Sequence, residues 1–269
     1  MTRLAAVLLA VLAAPAAAGT ITIKGSDTLV GLSQRWARAF SRKHPDITVQ
    51  ITGGGSGTGL AALESGATDI ATSSHPLGEE EQARLAAKLG HAPIVVPVVR
   101  DSVAFFVNAK NPVRALSLEQ LRDVLLGDVA RWSAFGGPDR QIITYTREST
   151  SGTYGFVKER VLHDEDFAST LQPLEGTGAV VNAVSHEPWA MGFGGTAFAR
   201  NVRVLAVRIG DEEVLPTSEN VMSGKYPLSR QLYFYVPVHP SADTAAFLEF
   251  VRSPEGQAIA DRAGFLPLQ

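Results

Sequence analysis

Apolar and polar positions follow a repeated order along the first part of the chain: a short strand, a loop rich in Ser, Thr and Gly, and a helix. A strand is predicted over 20–24, and a helix follows in which apolar residues from Leu29 to Phe40 recur at helical spacing. Strands over 47–51 and 69–71 continue this order. Strands that alternate with helices are typical of α/β folds with parallel strands.

A longer β-rich run over 95–108 is interrupted by two charged residues, and we interpret it as a strand that crosses into a second lobe. A return crossing is predicted over 231–236. Two crossings between two α/β lobes predict a hinged clamshell with a ligand cleft between the lobes. The predicted limits are 19–101 plus 233–269 for lobe 1 and 102–232 for lobe 2. The other predicted elements are strands over 142–146, 190–193 and 202–209 and helices over 118–126, 154–162, 244–251 and 254–263.

The first eighteen residues have the pattern of a signal peptide. Arg3 supplies a positive charge, residues 4–14 form an apolar stretch, and a run of small residues ends at Ala18. The stretch is shorter than the roughly 20 residues that a membrane-spanning helix needs. A buried N-terminal helix is the alternative, but Pro15 and the small residues favour cleavage. We therefore expect an exported protein, located in the periplasm and cleaved near Ala18.

Composition narrows the class of partner. The chain has 24 Lys and Arg, 27 Asp and Glu and a net charge of −3, which provides no electrostatic attraction for nucleic acid or an anionic membrane. It has no cysteine, which excludes disulfides, thiolate catalysis and cysteine-based metal sites and argues against a lipid anchor. Any anion must therefore be bound by local geometry and not by the overall field of the protein.

Four loops share one property: each follows a predicted strand, is rich in Ser, Thr and Gly, and precedes or abuts a helix start. Ligands of open α/β sheets lie at the carboxyl ends of strands, and a helix N-terminus there offers free N–H groups to an anion. Hydroxyls add donors, and Gly allows close approach of the backbone. Because Ser and Thr are also ordinary N-caps, capping stays open as the alternative for any single loop. The loops are 25–28, 53–59, 72–76 and 147–153.

Three of these loops carry specific motifs, which are Gly25–Leu29 (GSDTL), Thr52–Leu60 (TGGGSGTGL) and Arg147–Phe156 (RESTSGTYGF). In this order they resemble the ligand loops of the phosphate-binding proteins of ABC phosphate transporters, and supporting similarity covers nearly the whole chain after residue 18. The resemblance implies a two-lobed periplasmic-binding-protein clamshell that captures inorganic phosphate for uptake. It also implies a monomer without cofactor or catalytic activity, and a membrane permease as its partner.

The resemblance further implies a role for each matching residue. Hydroxyls and backbone N–H groups would donate to the ion from both lobes. Arg147 would add a two-pronged charged contact, because a guanidinium matches oxyanion geometry. A surface ion pair with Glu148 or Asp139 is the alternative for this arginine. The implied phosphate ligands are Thr28, Leu29, Ser56, Arg147, Ser151, Gly152 and Thr153.

The third loop departs from the family pattern. Well-studied members carry an aspartate where this chain has Ser74, and that carboxylate accepts the proton of hydrogen phosphate and repels sulfate. We expect Ser74 to stay among the ligand residues, and Asp27, next to Thr28, to supply the missing acceptor. Asp69 is the rival, although its place in a strand suits a supporting role.

Further residues are expected to support the ligand loops. Among them, a protonated His75 would add positive charge to the cleft below about pH 6.5. An ordinary exposed histidine before Pro76 is the alternative. The supporting residues are Ser26, Gly57, Ser73 and His75.

Two other functions compete with phosphate capture. Ser56 does not lie in the Gly-x-Ser-x-Gly elbow of hydrolases, because residue 58 is Thr. None of the six histidines belongs to a His-Glu-x-x-His zinc motif, so neither an enzyme nor a metal site is predicted. A binding protein or sensor for another tetrahedral oxyanion, such as sulfate, molybdate or a phosphonate, stays open because of Ser74.

Overall fold

The computed structural model describes residues 19–268. The predicted signal peptide over 1–18 and its cleavage site lie outside these residues. Within them, strands and helices alternate along most of the chain, as the apolar pattern predicts. No helix in the described range is long and apolar enough to cross a membrane.

The first elements form a parallel unit. In chain order they are β1 (Gly19–Gly25), α1 (Asp27–Phe40), β2 (Ile47–Thr52), α2 (Ser56–Glu64), β3 (Ile70–Ser73), α3 (Glu79–Leu89) and β4 (Ile94–Asn108). Strand β1 pairs in parallel with β2 on one side and β3 on the other. The carboxyl ends of these three strands therefore meet at one edge of the sheet, where parallel α/β sheets bind ligands.

The middle of the chain forms a second group of elements. Two short 3₁₀ helices, Trp132–Phe135 and Thr196–Phe198, lie between them. In chain order the elements are β5 (Ala115–Ser117), α4 (Leu118–Leu126), β6 (Ile143–Arg147), α5 (Gly152–Arg160), β7 (Gln172–Leu174), α6 (Gly176–His186), β8 (Ala190–Gly195), β9 (Val202–Val204), β10 (Ala206–Ile209), β11 (Glu212–Val214) and α7 (Ser218–Met222).

The chain ends with β12 (Ser229–Val236), α8 (Ala242–Arg252) and α9 (Pro254–Arg262). The main sheet has the order β2-β1-β3-β12-β4-β8-β6-β7, and β9 pairs with the end of β4. A separate sheet has the order β11-β10-β5. Because β12 lies between β3 and β4, the last strand of the chain closes the sheet of the first group.

Strand β4 belongs to both halves of the molecule. Its residues 94–102 pair with β12, and its residues 103–108 pair with β8 and β9. We call α1–α3, α8, α9 and the strands on the β12 side of β4 the first lobe, and the elements from β5 to α7 the second lobe. The predicted lobe limits at 101/102 and 232/233 stay a prediction.

Each lobe has its own apolar core. In the first lobe, Trp36 and Phe40 of α1 are completely buried and contact Phe234 and Phe247 through edge-to-face rings. In the second lobe, the largest cluster is built around Trp132, with β4, α4, α5 and β8 contributing side chains. Helical spacing of apolar residues predicted α1, because residues at that spacing share the face of the helix that packs on the sheet.

Three features differ from the predicted elements. Helices α6 and α7 were not predicted, and the helix that the repeated order implies after the third loop, α3, was predicted without limits. The strand predicted over 202–209 is two strands, β9 and β10, which belong to different sheets. Helix α5 begins at Gly152, two residues before the predicted start, because Ser151 caps it.

Candidate functional site

The four predicted ligand loops come together between the lobes. Ser26 connects β1 to α1, residues 53–55 connect β2 to α2, residues 74–78 follow β3, and residues 148–151 connect β6 to α5. The first three lie at the shared edge of the parallel strands in the first lobe. The fourth approaches them from the second lobe, so the site is built from both halves of the molecule.

The second and third loops meet the start of α5 at one point. Ser56 Oγ lies 3.4 Å from Ser74 Oγ and accepts a hydrogen bond from the Ser74 backbone N–H at 3.1 Å. A Cβ atom on Gly152 would lie 2.4 Å from Ser56 Oγ and 2.7 Å from Ser74 Oγ. Gly152 of the second lobe therefore lies directly against both hydroxyls of the first lobe.

The first loop meets the same helix one residue further on. The hydroxyls of Thr28 and Thr153 lie 3.4 Å apart and both residues are buried. Close by, the Gly57 backbone N–H donates to the Thr150 carbonyl oxygen at 3.0 Å, also from lobe to lobe. We call the buried group that these contacts define, together with Ser151 immediately before Gly152, the cradle; it consists of Thr28, Ser56, Ser74, Ser151, Gly152 and Thr153.

Arg147 is buried next to the cradle, with 1% of its side chain exposed. Its Nε and Nη2 donate to the two carboxylate oxygens of Glu148 at 3.1 and 2.8 Å. Its Nη2 also donates to Asp27 Oδ2 at 3.0 Å, and its Nη1 donates to Thr177 Oγ1 at 2.9 Å. The ion pair with Glu148 is thus present, with the arginine buried and Glu148 partly exposed, and Asp139 pairs with Arg131 instead. One Nη1 proton remains for another acceptor.

Asp27 connects the two lobes. Its Oδ2 accepts from Arg147 of the second lobe, and its Oδ1 accepts from the Gly54 backbone N–H at 2.9 Å. The carboxylate therefore ties the first loop to the second loop and to the arginine. Asp69 lies elsewhere: its Oδ2 accepts from the backbone N–H and the hydroxyl of Thr22, both at 2.7 Å. It lies just before β3 and supports β1, the supporting role that the sequence suggested.

Ser151 has two functions available to it. Its Oγ accepts from the backbone N–H groups of Thr153 and Tyr154 at 3.2 and 3.4 Å, so it is the N-cap of α5. Because both bonds are accepted, its own proton is free for an acceptor in the cleft. Thr28, Ser56 and Gly152 lie in the first turns of α1, α2 and α5, where backbone N–H groups have no acceptor within the helix.

His75 lies at the rim of the cradle with 20% of its side chain exposed. Its Nδ1 is 3.1 Å from Ser73 Oγ, and its Nε2 is 3.6 Å from Glu81 Oε2. The neighbouring His75 imidazole lowers the pKa of Glu81, with burial opposing it. A Cβ on Gly152 would lie 2.6 Å from His75 Nδ1, so this ring belongs to the boundary of the site.

The other predicted residues support the loops. The Leu29 side chain is completely buried in the first-lobe core, and its backbone N–H donates to the Ser26 carbonyl oxygen at 2.9 Å. A ligand contact from that N–H would have to share this hydrogen bond. Ser73 donates to the His75 carbonyl oxygen at 2.8 Å and so shapes the third loop. In the described residues no group of three or more His, Cys, Asp or Glu side chains could hold a metal ion.

Sequence reasoning missed three buried polar residues beside the cradle. Arg230 of β12 pairs with Asp101 of β4 at 2.7 Å and also donates to Thr153 Oγ1 at 3.0 Å. Thr177 accepts from Arg147 at the start of α6. A Gly-Thr-Gly run at the start of α6 was a usable signal for Thr177, since it repeats the composition of the other loops. Nothing local distinguishes Arg230 from an ordinary exposed strand residue.

Comparison with known proteins identifies the family. The family described as "PBP superfamily domain" matches residues 10–255 of the chain. The phosphate-binding protein PstS of Pseudomonas aeruginosa strain PAO1 is 33% identical over 270 residues, covering 93% of this chain and 83% of that protein. The chain belongs to the family of PstS phosphate-binding proteins. The predicted resemblance to the phosphate-binding proteins of ABC phosphate transporters is thereby confirmed.

Solved structures of other phosphate-binding proteins share the fold. A phosphate-bound ABC-transporter substrate-binding protein of Clostridium perfringens matches with a TM-score of 0.85 and 26% identity, over 93% of this chain and all of that one. A periplasmic phosphate-binding protein, PfluDING, matches with a TM-score of 0.74 and 17% identity, over 93% and 90% of the two chains, which concerns the fold alone. The predicted α/β periplasmic-binding-protein fold is confirmed, and PstS proteins are binding proteins and not enzymes.

Proposed function

We propose that this PstS-family chain captures inorganic phosphate between its two lobes. The observation that carries the proposal is the cradle, in which hydroxyls from four loops and a buried guanidinium next to them converge from both lobes. The Clostridium perfringens relative contains bound phosphate, which supports the same ligand here. The proposed ligand residues are those of the cradle together with Arg147, Asp27 and the N–H groups at the starts of α1, α2 and α5.

The chemistry of the cradle suits a tetrahedral oxyanion. Ser56 Oγ accepts from Ser74 N–H, and Ser151 Oγ accepts from two backbone N–H groups, so both hydroxyls keep their protons for an external acceptor. The hydroxyl pairs across the cradle are 3.4 Å apart, longer than the usual 2.7–2.8 Å. A charged oxygen acceptor would form shorter and stronger bonds with these donors.

Selectivity is the part of the proposal that depends on Asp27. Two carboxylates, Asp27 and Glu148, surround Arg147, so the arginine adds no net positive charge to the site. A carboxylate oxygen can accept more than one hydrogen bond, so Asp27 can bond to a ligand as well as to Arg147. A carboxylate that faces the cradle would accept the proton of hydrogen phosphate and would repel sulfate. Asp27 is adjacent to Thr28, which makes it the proposed acceptor.

Another tetrahedral oxyanion is the second candidate ligand. The observation that favours it is Ser74, which is buried in the cradle at the position where well-studied family members carry an acidic side chain. A serine hydroxyl can donate to a fully deprotonated ion and does not repel it. If Asp27 did not act as the acceptor, sulfate would be held as well as phosphate.

The proposal includes delivery and location. We place the protein in the periplasm, after cleavage of the predicted signal peptide near Ala18, as a monomer that presents phosphate to the membrane permease of an ABC transporter. The PfluDING protein, which has the same fold, is periplasmic. The lobes would close on the ion by hinge motion at β4 and β12, because these strands are paired where the two lobes join.

Calorimetric titration of the wild type and Asp27→Asn with phosphate and with sulfate tests the function and the acceptor together. We expect the wild type to bind phosphate in the presence of excess sulfate. Asp27→Asn should reduce the ratio of phosphate to sulfate affinity by at least about tenfold, because a charge-assisted hydrogen bond and a repulsion are both removed. Asp69→Asn is the matched control, since its carboxylate bonds to Thr22, and it should leave that ratio unchanged.

Three results would contradict the proposal. If the wild type binds no phosphate, the function is wrong. If sulfate displaces phosphate at comparable concentrations, the second candidate replaces it. If Asp27→Asn keeps both the phosphate affinity and the selectivity of the wild type, Asp27 is not the acceptor.

A further inference from the structure

A second buried guanidinium, that of Arg230, lies beside the cradle without belonging to any ligand loop. Its Nε and Nη2 donate to Asp101 Oδ2 at 3.0 and 2.7 Å, and 1% of the side chain is exposed. Its Cζ lies 5.5 Å from the centre of the Phe156 ring. Its Nη1 donates to Thr153 Oγ1 at 3.0 Å. Contacts from β4 and α5 therefore hold the guanidinium in one orientation.

The bond to Thr153 determines the direction of a hydrogen atom. A threonine hydroxyl has one proton and can accept two hydrogen bonds, whereas a guanidinium can only donate. Thr153 Oγ1 must therefore accept from Arg230, and its proton must point to another acceptor. The other described polar atom in reach of this hydroxyl is Thr28 Oγ1 at 3.4 Å, on the opposite side of the cradle. The Thr153 proton is thus directed into the cleft.

From this geometry we infer that Arg230 is a positioning residue for the anion site: it makes the Thr153 hydroxyl a committed donor to the bound ion. The inference rests on the proposed function and deepens it. A hydroxyl that accepts from a cation is also a stronger donor, because hydrogen bonds in a chain polarise one another. The residue does not need to touch the ion to have this effect.

Arg230 acts by orienting the Thr153 hydroxyl. It adds no net charge to the site, because the Asp101 carboxylate neutralises it. Burial lowers the pKa of Arg230, and the Asp101 carboxylate opposes that change, so the buried carboxylate keeps the guanidinium charged. Arg230 and Asp101 are register partners in β12 and β4. They lie where β4 passes from the first lobe to the second, so the pair also attaches the start of α5 to the strands at the hinge.

A double-mutant cycle on phosphate affinity tests this role. Arg230→Lys keeps the positive charge beside Asp101 but lacks the planar fork that reaches both partners. Thr153→Val removes the hydroxyl and keeps the shape. We expect Arg230→Lys to weaken phosphate binding about tenfold, the size of one charge-assisted hydrogen bond, and to have no further effect in the Thr153→Val background.

Two controls separate positioning from a merely structural role. Thr153→Ser keeps a hydroxyl, and in this background Arg230→Lys should again weaken binding about tenfold. Thermal unfolding without phosphate reports whether each variant is folded. Should Arg230→Lys fold poorly, Arg230→Gln combined with Asp101→Asn removes both charges of the buried pair. This double change should likewise weaken phosphate binding and have no further effect in the Thr153→Val background.

Independent, additive losses in the Arg230→Lys, Thr153→Val pair would overturn the inference, as would wild-type affinity in Arg230→Lys. In either case the wild type would still bind phosphate and the proposed function would stand. Absence of phosphate binding by the wild type would instead overturn the proposed function, and the inference with it.

Discussion

Gly152 of the second lobe lies against first-lobe side chains in the cradle with no room for a Cβ. Any side chain there would place its Cβ 2.4 to 2.7 Å from Ser56 Oγ, Ser74 Oγ and His75 Nδ1. Real Cβ atoms are not found at such distances, so either a hydroxyl or the whole α5 N-terminus would have to move. This glycine is required by the space between the lobes, since its backbone is helical.

We expect Gly152→Ala to reduce phosphate affinity by at least about 100-fold, because the lobes could no longer close around the ion. Gly155→Ala on the same helix is the matched control. A Cβ at Gly155 meets nothing within 4 Å, so this change should stabilise the fold by about 0.5–1 kcal/mol and leave phosphate affinity unchanged. Calorimetric titration and urea unfolding of both variants provide the measurements. Unchanged affinity in Gly152→Ala would refute the described closure.

The site is built from helix N-termini. Serine occurs at helix N-termini of this protein both as a cap alone and as a cap that also faces the cleft. Ser117, which does not belong to the cradle, caps α4 by accepting from the Gln120 N–H at 3.2 Å. Ser151 caps α5 in the same way, but lies within the cradle. Capping and ligand binding are therefore not alternatives for Ser151, because the cap uses its lone pairs and leaves its proton free.

The two caps allow the two functions to be separated. Ser117→Ala should lower the free energy of unfolding by about 1 kcal/mol and leave phosphate affinity unchanged. Ser151→Ala should lower the free energy of unfolding by a similar amount and also weaken phosphate binding by at least about tenfold. Denaturant unfolding and calorimetric titration measure the two effects. If Ser151→Ala loses stability but binds phosphate normally, Ser151 is a cap only.

At the scale of the whole molecule, the hinge strands are tied to their surroundings by buried tyrosines. Tyr226 donates from its hydroxyl to the Val103 carbonyl oxygen at 2.9 Å, just before β12 begins. Tyr235 in β12 accepts from the Leu77 N–H at 3.2 Å and so connects the hinge to the third loop. Burial raises the pKa of both hydroxyls above the ordinary value of about 10, with Asp101 adding to the effect at Tyr226.

These raised pKa values make the fold sensitive to alkaline pH. Below about pH 10 the two tyrosine hydroxyls are protonated in both the folded and the unfolded state, so the free energy of unfolding does not depend on their titration. Above that pH the unfolded chain loses these protons while the folded chain retains them, so stability falls by about 1.4 kcal/mol per pH unit for each tyrosine. We expect Tyr235→Phe to reduce the slope of unfolding free energy against pH by that amount between pH 10.5 and 11.5. Equal slopes in urea unfolding of both proteins would contradict this assignment.

Much of the fold could be predicted from local pattern. Helix α4 begins and ends at the predicted residues, because Ser117 caps it and Gly127 ends it in the left-handed conformation. Helix α3 was predicted only as the helix that follows the third loop, without limits, and only Leu85 of it is buried. Arg230 was missed because its role depends on Thr153 and Asp101, which are 77 and 129 positions away. A local pattern contains no information on such contacts.

The amino-acid sequence by itself determined the order of strands and helices, the Ser, Thr and Gly loops at the strand ends, and the family, because periodicity, capping and turn chemistry act over a few neighbouring residues. Only the tertiary structure decided which polar groups meet. It brought Thr28 to Thr153 and Asp27 to Arg147 over 125 and 120 positions, and it buried Arg230 against Asp101. Such contacts form only when two separately packed lobes are held together at the hinge strands, so their geometry is a property of the folded molecule.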